Sequence, residues 1–118
     1  DSGIIFGMSS KKKAIRRNFR LAVFQRDDYC CAMCGIKGQD RQDGDQGLPD
    51  LDAHHITDRN EMPNGGYVKE NGISLCTDCH IKAEDKILHF RPEDLYQEIG
   101  SSYEQAAQAS ERLDYHIA

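Results

Sequence analysis

Apolar and polar positions change their rhythm several times along this chain, and each rhythm predicts an element. Ala14, Ile15, Phe19, Ala22 and Val23, joined by Leu21 and Phe24, recur at helical spacing. Residues 11–26 therefore read as an amphipathic helix with an apolar stripe turned inward and a basic stripe outside. Residues 1–8 read as a loose apolar arm, with Ser9 and Ser10 as candidate helix caps. Residues 29–37 carry the turn-and-glycine pattern of a metal knuckle, and residues 38–50, rich in Gly, Asp and Gln, read as an exposed loop. A short strand is expected over 51–57 and a returning strand over 73–75, joined by a loop that holds Pro63, Gly65 and Gly66. A helix follows over 77–87. Pro92 suits the first turn of a short helix reaching residue 99, and Ser101 or Ser102 caps a last helix rich in Ala, Gln and Glu. The expected class is α+β: a small strand-and-helix core with helices before and after it.

Composition limits what such a core can do unaided. The chain has 118 residues, room for one domain, with 38% hydrophobic residues, 30% charged residues and no Trp. Its mean hydropathy is -0.72, a water-soluble balance with a thin core, so folding is expected to need help beyond burial. No apolar run approaches the ~20 residues that span a bilayer, and no basic-then-apolar signal opens the chain, so no membrane partner is expected. A collagen and a wholly disordered tail are excluded as well. The first residue is Asp1 rather than Met, and a trimmed form or a piece of a longer protein is expected.

Charge is laid out unevenly. Residues 11–26 hold seven basic side chains and no acid, while the rest of the chain holds 8 basic and 20 acidic residues, giving the overall -5. A positive segment on a negative whole is compatible with binding a polyanion, with Arg16 and Arg20 as candidate phosphate contacts. A merely solvated face is the competing account.

The cysteines supply the missing help. Four of the five form two C-x-x-C pairs, Cys31/Cys34 and Cys76/Cys79, and Cys30 is left over. Disulfides are the alternative, but an odd count, paired spacing and no secretory signal favour metal thiolates in a reducing, cytoplasmic setting. Two such turns complete a closed four-thiolate zinc site of the structural kind. The 41 residues between Cys34 and Cys76 (35–75) exceed ordinary ribbon spacing, so zinc clamps a large insertion at its base. That insertion carries His54 and His55, and His80 directly follows Cys79. On a helix, His80 lies ~100° round from Cys79, so sulfur and imidazole can serve different sites. His54 and His55 are harder to reconcile, because a regular pleat sends them to opposite faces unless the strand ends or twists there.

The stretch Leu51-Asp52-Ala53-His54-His55-Ile56, followed by Glu70-Asn71-Gly72-Ile73-Ser74-Leu75-Cys76-Thr77-Asp78-Cys79-His80, closely resembles the signature of HNH endonucleases. The likeness extends back through Arg26-Asp27-Asp28-Tyr29 and Cys31-Ala32-Met33-Cys34-Gly35, covering about residues 26–85. It implies a small zinc-stapled ββα-metal domain, placed here over 26–90, while the residue patterns put an arm and basic helix at 1–25 before it and a helical extension at 91–118 after it. It also implies metal-dependent hydrolysis of phosphodiester bonds in DNA, double-stranded DNA above all. Within that likeness His55 matches the general base, Asn71 the residue that braces the loop and orients the base, His80 a metal ligand, and His54 the other ligand. The terminal regions match nothing comparable.

The chemistry asks for the same residue types. A base of pKa near 7 must reach the attacking water, and one divalent cation can neutralise charge on the phosphoryl group and the leaving oxygen. Two imidazoles suit zinc, nickel or manganese better than magnesium, although magnesium users occur in the family. Arg59, four residues after His55, is a third candidate phosphate contact. A zinc-stapled nucleic-acid-binding module that cuts nothing is the alternative function. A double-strand cut by one such site requires two copies or two visits, which makes a homodimer a candidate partner state, and a larger parent protein is the other.

Overall fold

A computed structural model describes residues 2–42, 44–85 and 89–113 of the chain. Helix α1 (Ser2–Arg26) comes first and is longer than its apolar stripe predicts, since the expected loose arm is helical from Ser2 on. Asp28 and Tyr29, with φ of 56° and 53°, turn the chain out of the helix into the first cysteine pair. Strand β1 (Gln39–Asp40) then pairs in parallel with β2 (Asp50–His55), which pairs antiparallel with β3 (Gly72–Cys76). Helix α2 (Thr77–Glu84) leaves directly from β3 and ends three residues short of the expected 87, while residues 86–88 lie outside the described ones. Helices α3 (Pro92–Glu98) and α4 (Tyr103–Glu111) close the chain, as expected from Pro92 and from Ser102, whose hydroxyl accepts a bond from Gln105 N at 3.1 Å. The mixed three-stranded sheet with flanking helices is the small α+β, ββα-type domain expected.

Register explains how the sheet presents its side chains. Leu51 pairs with Cys76, His54 with Ile73 and His55 with Gly72, so both histidines sit at the last two rungs of the β2–β3 ladder. Strand β3 is buried along its whole length, because α1 covers one face and the main core the other. Small residues make that possible. A Cβ at Gly72 would meet Val23 Cγ2 at 2.4 Å, and the Ser74 hydroxyl donates to Val23 O at 3.4 Å. The main core gathers Phe24, Leu51, Ile56, Ile73, Leu75 and Leu95, whereas Phe19, Val23 and Tyr67 form a smaller cluster of their own.

Two expectations about polar segments need correction. The loop 38–50 is not wholly exposed: Gln39 and Asp40 are buried, and their polarity is satisfied locally. Arg20 Nε donates to Asp40 at 2.7 Å, and the Gln39 amide reaches Asp50 and Gln46. Nor is the basic stripe of α1 uniformly solvated. Arg26 donates to Lys69 O at 2.6 Å and Gly72 O at 2.7 Å, tying the end of α1 to the loop before β3. Lys11, Lys12, Lys13, Arg16 and Arg17 are exposed.

The loop between β2 and β3 is ordered by three short 3-10 turns, Arg59–Glu61, Pro63–Gly66 and Lys69–Asn71. Asn64, itself at φ 53°, donates through its side-chain amide to Ser110 O at 2.9 Å and Leu113 O at 3.2 Å. That amide caps the end of α4 and fastens the C-terminal helix to the loop.

Candidate metal centres

The four paired cysteines converge. Cys31, Cys34, Cys76 and Cys79 place their sulfurs within 4.8 Å of one another, and all five cysteines are free thiols rather than disulfides. Local sequence builds each half. Gly35, at φ 82°, closes the first turn by donating its N–H to Cys31 O at 2.8 Å. At the second turn the Cys76 sulfur caps α2 by accepting from Cys79 N at 3.5 Å. The Cys34 and Cys76 sulfurs are 3.7 Å apart, against roughly 3.8 Å for the edge of a tetrahedron with Zn–S bonds of about 2.3 Å.

Electrostatics point the same way. Burial pushes the Cys79 thiol well above its ordinary value, and the adjacent sulfurs of Cys76 and Cys31 push it further. Burial also works to raise Cys31, but backbone N–H groups of Cys34, Cys76 and Met33 outweigh it and bring the thiol down to about 7. Four thiolates so crowded need a dication among them, and this donor set fits zinc.

A second cluster lies on the other side of the same helix turn. His54 on β2 and His80 on α2 have ring centroids 5.0 Å apart, and Glu84, one turn after His80, joins them. The ligand atoms of the three lie within 4.8 Å of one another, a set that could hold one divalent cation. Glu84 was not expected as a ligand, although its position four residues after a ligand histidine on one helix face was a readable signal. His80 uses both ring nitrogens: Nδ1 lies 3.2 Å from Asp52 Oδ2, and Nε2 lies 3.4 Å from Glu84 Oε1. Asp52 in turn receives Arg41 at 2.8 Å and 3.1 Å, and Arg41 also donates to Thr77 Oγ1 at 2.8 Å. Burial would raise the Asp52 carboxyl, but bonds and charge from Arg41 and His80 hold it below the usual carboxylate range.

His55 points elsewhere, as strand alternation requires. Its ring stacks on Phe19 of α1 at 4.4 Å and meets Tyr67 edge-on at 4.8 Å. Nε2 is buried and has no hydrogen-bond partner among the described residues. Burial, and next the Arg59 charge, push the imidazole down to about 4, so it is neutral at pH 7. Even so, His54, His55, His80, Glu84, Asp58 and Arg59 all line one open cavity of about 520 Å³.

Asn71 is fully buried and uses its whole side chain to brace the loop. Its oxygen accepts from Thr57 N at 3.0 Å and from the Tyr96 hydroxyl at 2.8 Å, while its nitrogen donates to Thr57 O at 3.1 Å and Gly66 O at 3.2 Å. No bond from Asn71 to the His55 ring is present among these. Arg59 Nη1 donates to the Tyr67 hydroxyl at 3.0 Å. Arg16 and Arg20 line a second cavity of about 320 Å³, which shares Ala53, His55, Arg59 and His80 with the first. His89 lies beside Asp85 at 3.2 Å and lines neither cavity, and His116 falls outside the described residues.

No helix of the described residues is long and apolar enough to cross a membrane. Neither a curated protein nor a solved structure matches the chain. The family model for HNH endonucleases matches residues 31–86, a span that holds the four sulfurs, the His54–His80–Glu84 cluster, His55 and Asn71. Residues 31–86, built around a four-cysteine cluster able to hold zinc, belong to the HNH endonuclease family.

Proposed function

We propose that this protein is a metal-dependent endonuclease that hydrolyses DNA phosphodiester bonds, with His55 as general base and one divalent cation at His54, His80 and Glu84. The observation that carries the reading is the shared cavity, where a neutral imidazole and a three-ligand cluster open onto the same space. A divalent cation bound there would act as Lewis acid on the phosphate and stabilise the departing oxygen.

The remaining steps belong to the chain. Because Nε2 of His55 is shut away from solvent, Nδ1 is the nitrogen left to take a proton from the attacking water. The water oxygen bonds to phosphorus as the bond to the 3′ oxygen breaks, and the departing oxygen takes a proton from solvent, leaving 5′-phosphate and 3′-hydroxyl ends. Arg59, at the rim, suits a phosphate oxygen, and an anion placed there offsets a charge that weakens His55 as a base. Arg16 and Arg20 line the second cavity, and exposed Lys12 and Lys13 precede Arg16 by about one turn of α1, a basic run able to hold backbone phosphates of DNA. Arg20 stands in that run already paired with Asp40, so Arg16 is the better phosphate contact of the two.

Supercoiled plasmid incubated with the zinc-loaded protein and manganese tests the reading. Nicked and linear products are expected from wild type, with His55→Ala slower by about 10²- to 10⁴-fold. Equal cleavage by the two removes His55 from the chemistry. Tight binding without cleavage by either would make the protein a nucleic-acid-binding module instead.

A further inference from the structure

We propose that Phe19 and Tyr67 are positioning residues for the general base, an aromatic clamp that fixes the His55 ring where no hydrogen bond does, so that helix α1 is part of the active site. The inference rests on the nuclease reading above and adds to it one residue from outside the matched segment, since Phe19 precedes residue 31 and Tyr67 lies within 31–86.

A histidine at the last rung of a strand is free to turn about χ1 and χ2 unless something holds it, and rotation about its ring bond is intrinsically broad. A hydrogen bond to the nitrogen not used in catalysis is the usual restraint. Here that restraint is missing, because Nε2 has no partner among the described residues and each Asn71 bond goes to Thr57, Gly66 or Tyr96. Packing takes its place. Phe19 lies nearly parallel to the imidazole, 4.4 Å away at 24°, while Tyr67 closes the edge at 4.8 Å and 89°. The two aromatic rings meet each other at 5.7 Å and 89°, so the three rings are mutually in contact.

The clamp is built from several directions. Phe19 reaches the strand pair because the residue opposite His55 is Gly72, where a Cβ would lie 2.7 Å from the Phe19 ring. Tyr67 is held by its hydroxyl, which accepts from Arg59 at 3.0 Å, so the clamp and the candidate phosphate contact are mechanically linked. Both rings are buried, at 5% and 7% exposure, and form a cluster with Val23 distinct from the main core. Loss of one ring plane should therefore loosen the base more than it loosens the fold.

The test uses the whole zinc-loaded chain. Phe19→Leu keeps apolar volume and removes the ring plane. It should lower kcat about ten- to a hundredfold, the scale of an ångström-sized misplacement, with KM and manganese affinity unchanged. Tyr67→Leu should lose kcat in the same way, and Tyr67→Phe should restore most of it. A second readout needs no catalysis: in protein carrying labelled histidine without manganese, the carbon-bound ring protons of His55 should be shifted upfield by Phe19. In Phe19→Leu they should return toward free-histidine positions while those of His80 stay. If Phe19→Leu does not fold, the Tyr67→Leu and Tyr67→Phe pair makes the same comparison. Unchanged kcat in the ring-removing variants, or lost kcat with His55 resonances unmoved, overturns the clamp. A wild type that cuts nothing overturns the nuclease reading and the clamp's catalytic role together.

Discussion

The two candidate metal centres share a helix turn and little else. Cys79 and His80 are neighbours at the start of α2, and a step of ~100° sends one toward the sulfurs and the other toward the cavity. On the sulfur side three of four ligands are buried, the spacing matches a tetrahedron, and backbone N–H groups support the charge. On the imidazole side His54 and His80 are half-buried and Glu84 is exposed, within a cavity of about 520 Å³. A closed set of four leaves nothing to react with, so it suits a staple. An open set of three leaves positions for water and phosphate, as a working site requires. The difference lies in ligand number and burial.

The largest effect that could break this contrast comes from the staple. Cys79→Ser should unfold the domain, since structural zinc contributes about 10–16 kcal/mol and small domains have only about 5–15 kcal/mol to lose. His80→Ala should instead stay folded, with manganese binding and cleavage lost. Circular dichroism melts and titration calorimetry separate the two outcomes, and equal unfolding of both variants would show that structure and chemistry are not divided between sulfur and imidazole.

Smaller changes sharpen the contrast on the open side. Asp52 orients His80 through Nδ1 and is itself gripped by Arg41. Asp52→Asn should weaken manganese binding about 10- to 100-fold while zinc content stays at one equivalent. An unchanged manganese affinity would reduce Asp52 to a surface ion-pair partner.

The smallest effect concerns His55. Its folded-state value of about 4 lies below the 6.5 of an unperturbed histidine, so the unfolded chain takes up a proton before the folded one does. Stability should therefore be unaffected by His55 above pH 6.5 and should decline as pH falls from 6.5 toward 4. Urea midpoints of wild type and His55→Gln, compared between pH 7 and 5, should differ by about one proton in slope. Parallel curves would mean that the aromatic pocket does not hold the ring neutral.

Local features of the molecule were readable early. Gly35 after Cys34 marks a tight turn, Pro92 and Ser102 start helices, and the apolar stripe from Ala14 to Phe24 is a helix face. Other features left no local trace. Gln39 and Asp40 carry no apolar rhythm, and they form a buried strand only because Arg20, nineteen and twenty residues earlier, and nearby amides satisfy them. Arg41 falls within the segment 38–50 that reads as exposed loop, yet its guanidinium holds Asp52 on the neighbouring strand. Glu84 is an intermediate case: its helical spacing from His80 was legible, but an exposed carboxylate has too many other uses for spacing alone to single it out.

The sequence alone determined the donor chemistry: four thiolates in two tight turns, three histidines beside them and an asparagine between the strands. Those are properties of residue type and short spacing, which a chain carries wherever it folds. Only the tertiary structure decided which donors meet. It put His54 with His80 and Glu84, turned His55 away onto Phe19, and spent Asn71 on Thr57, Gly66 and Tyr96. Such pairings join residues as far as 36 positions apart (Phe19 to His55), and they follow from strand alternation, the space above Gly72 and the close packing of α1 on the sheet.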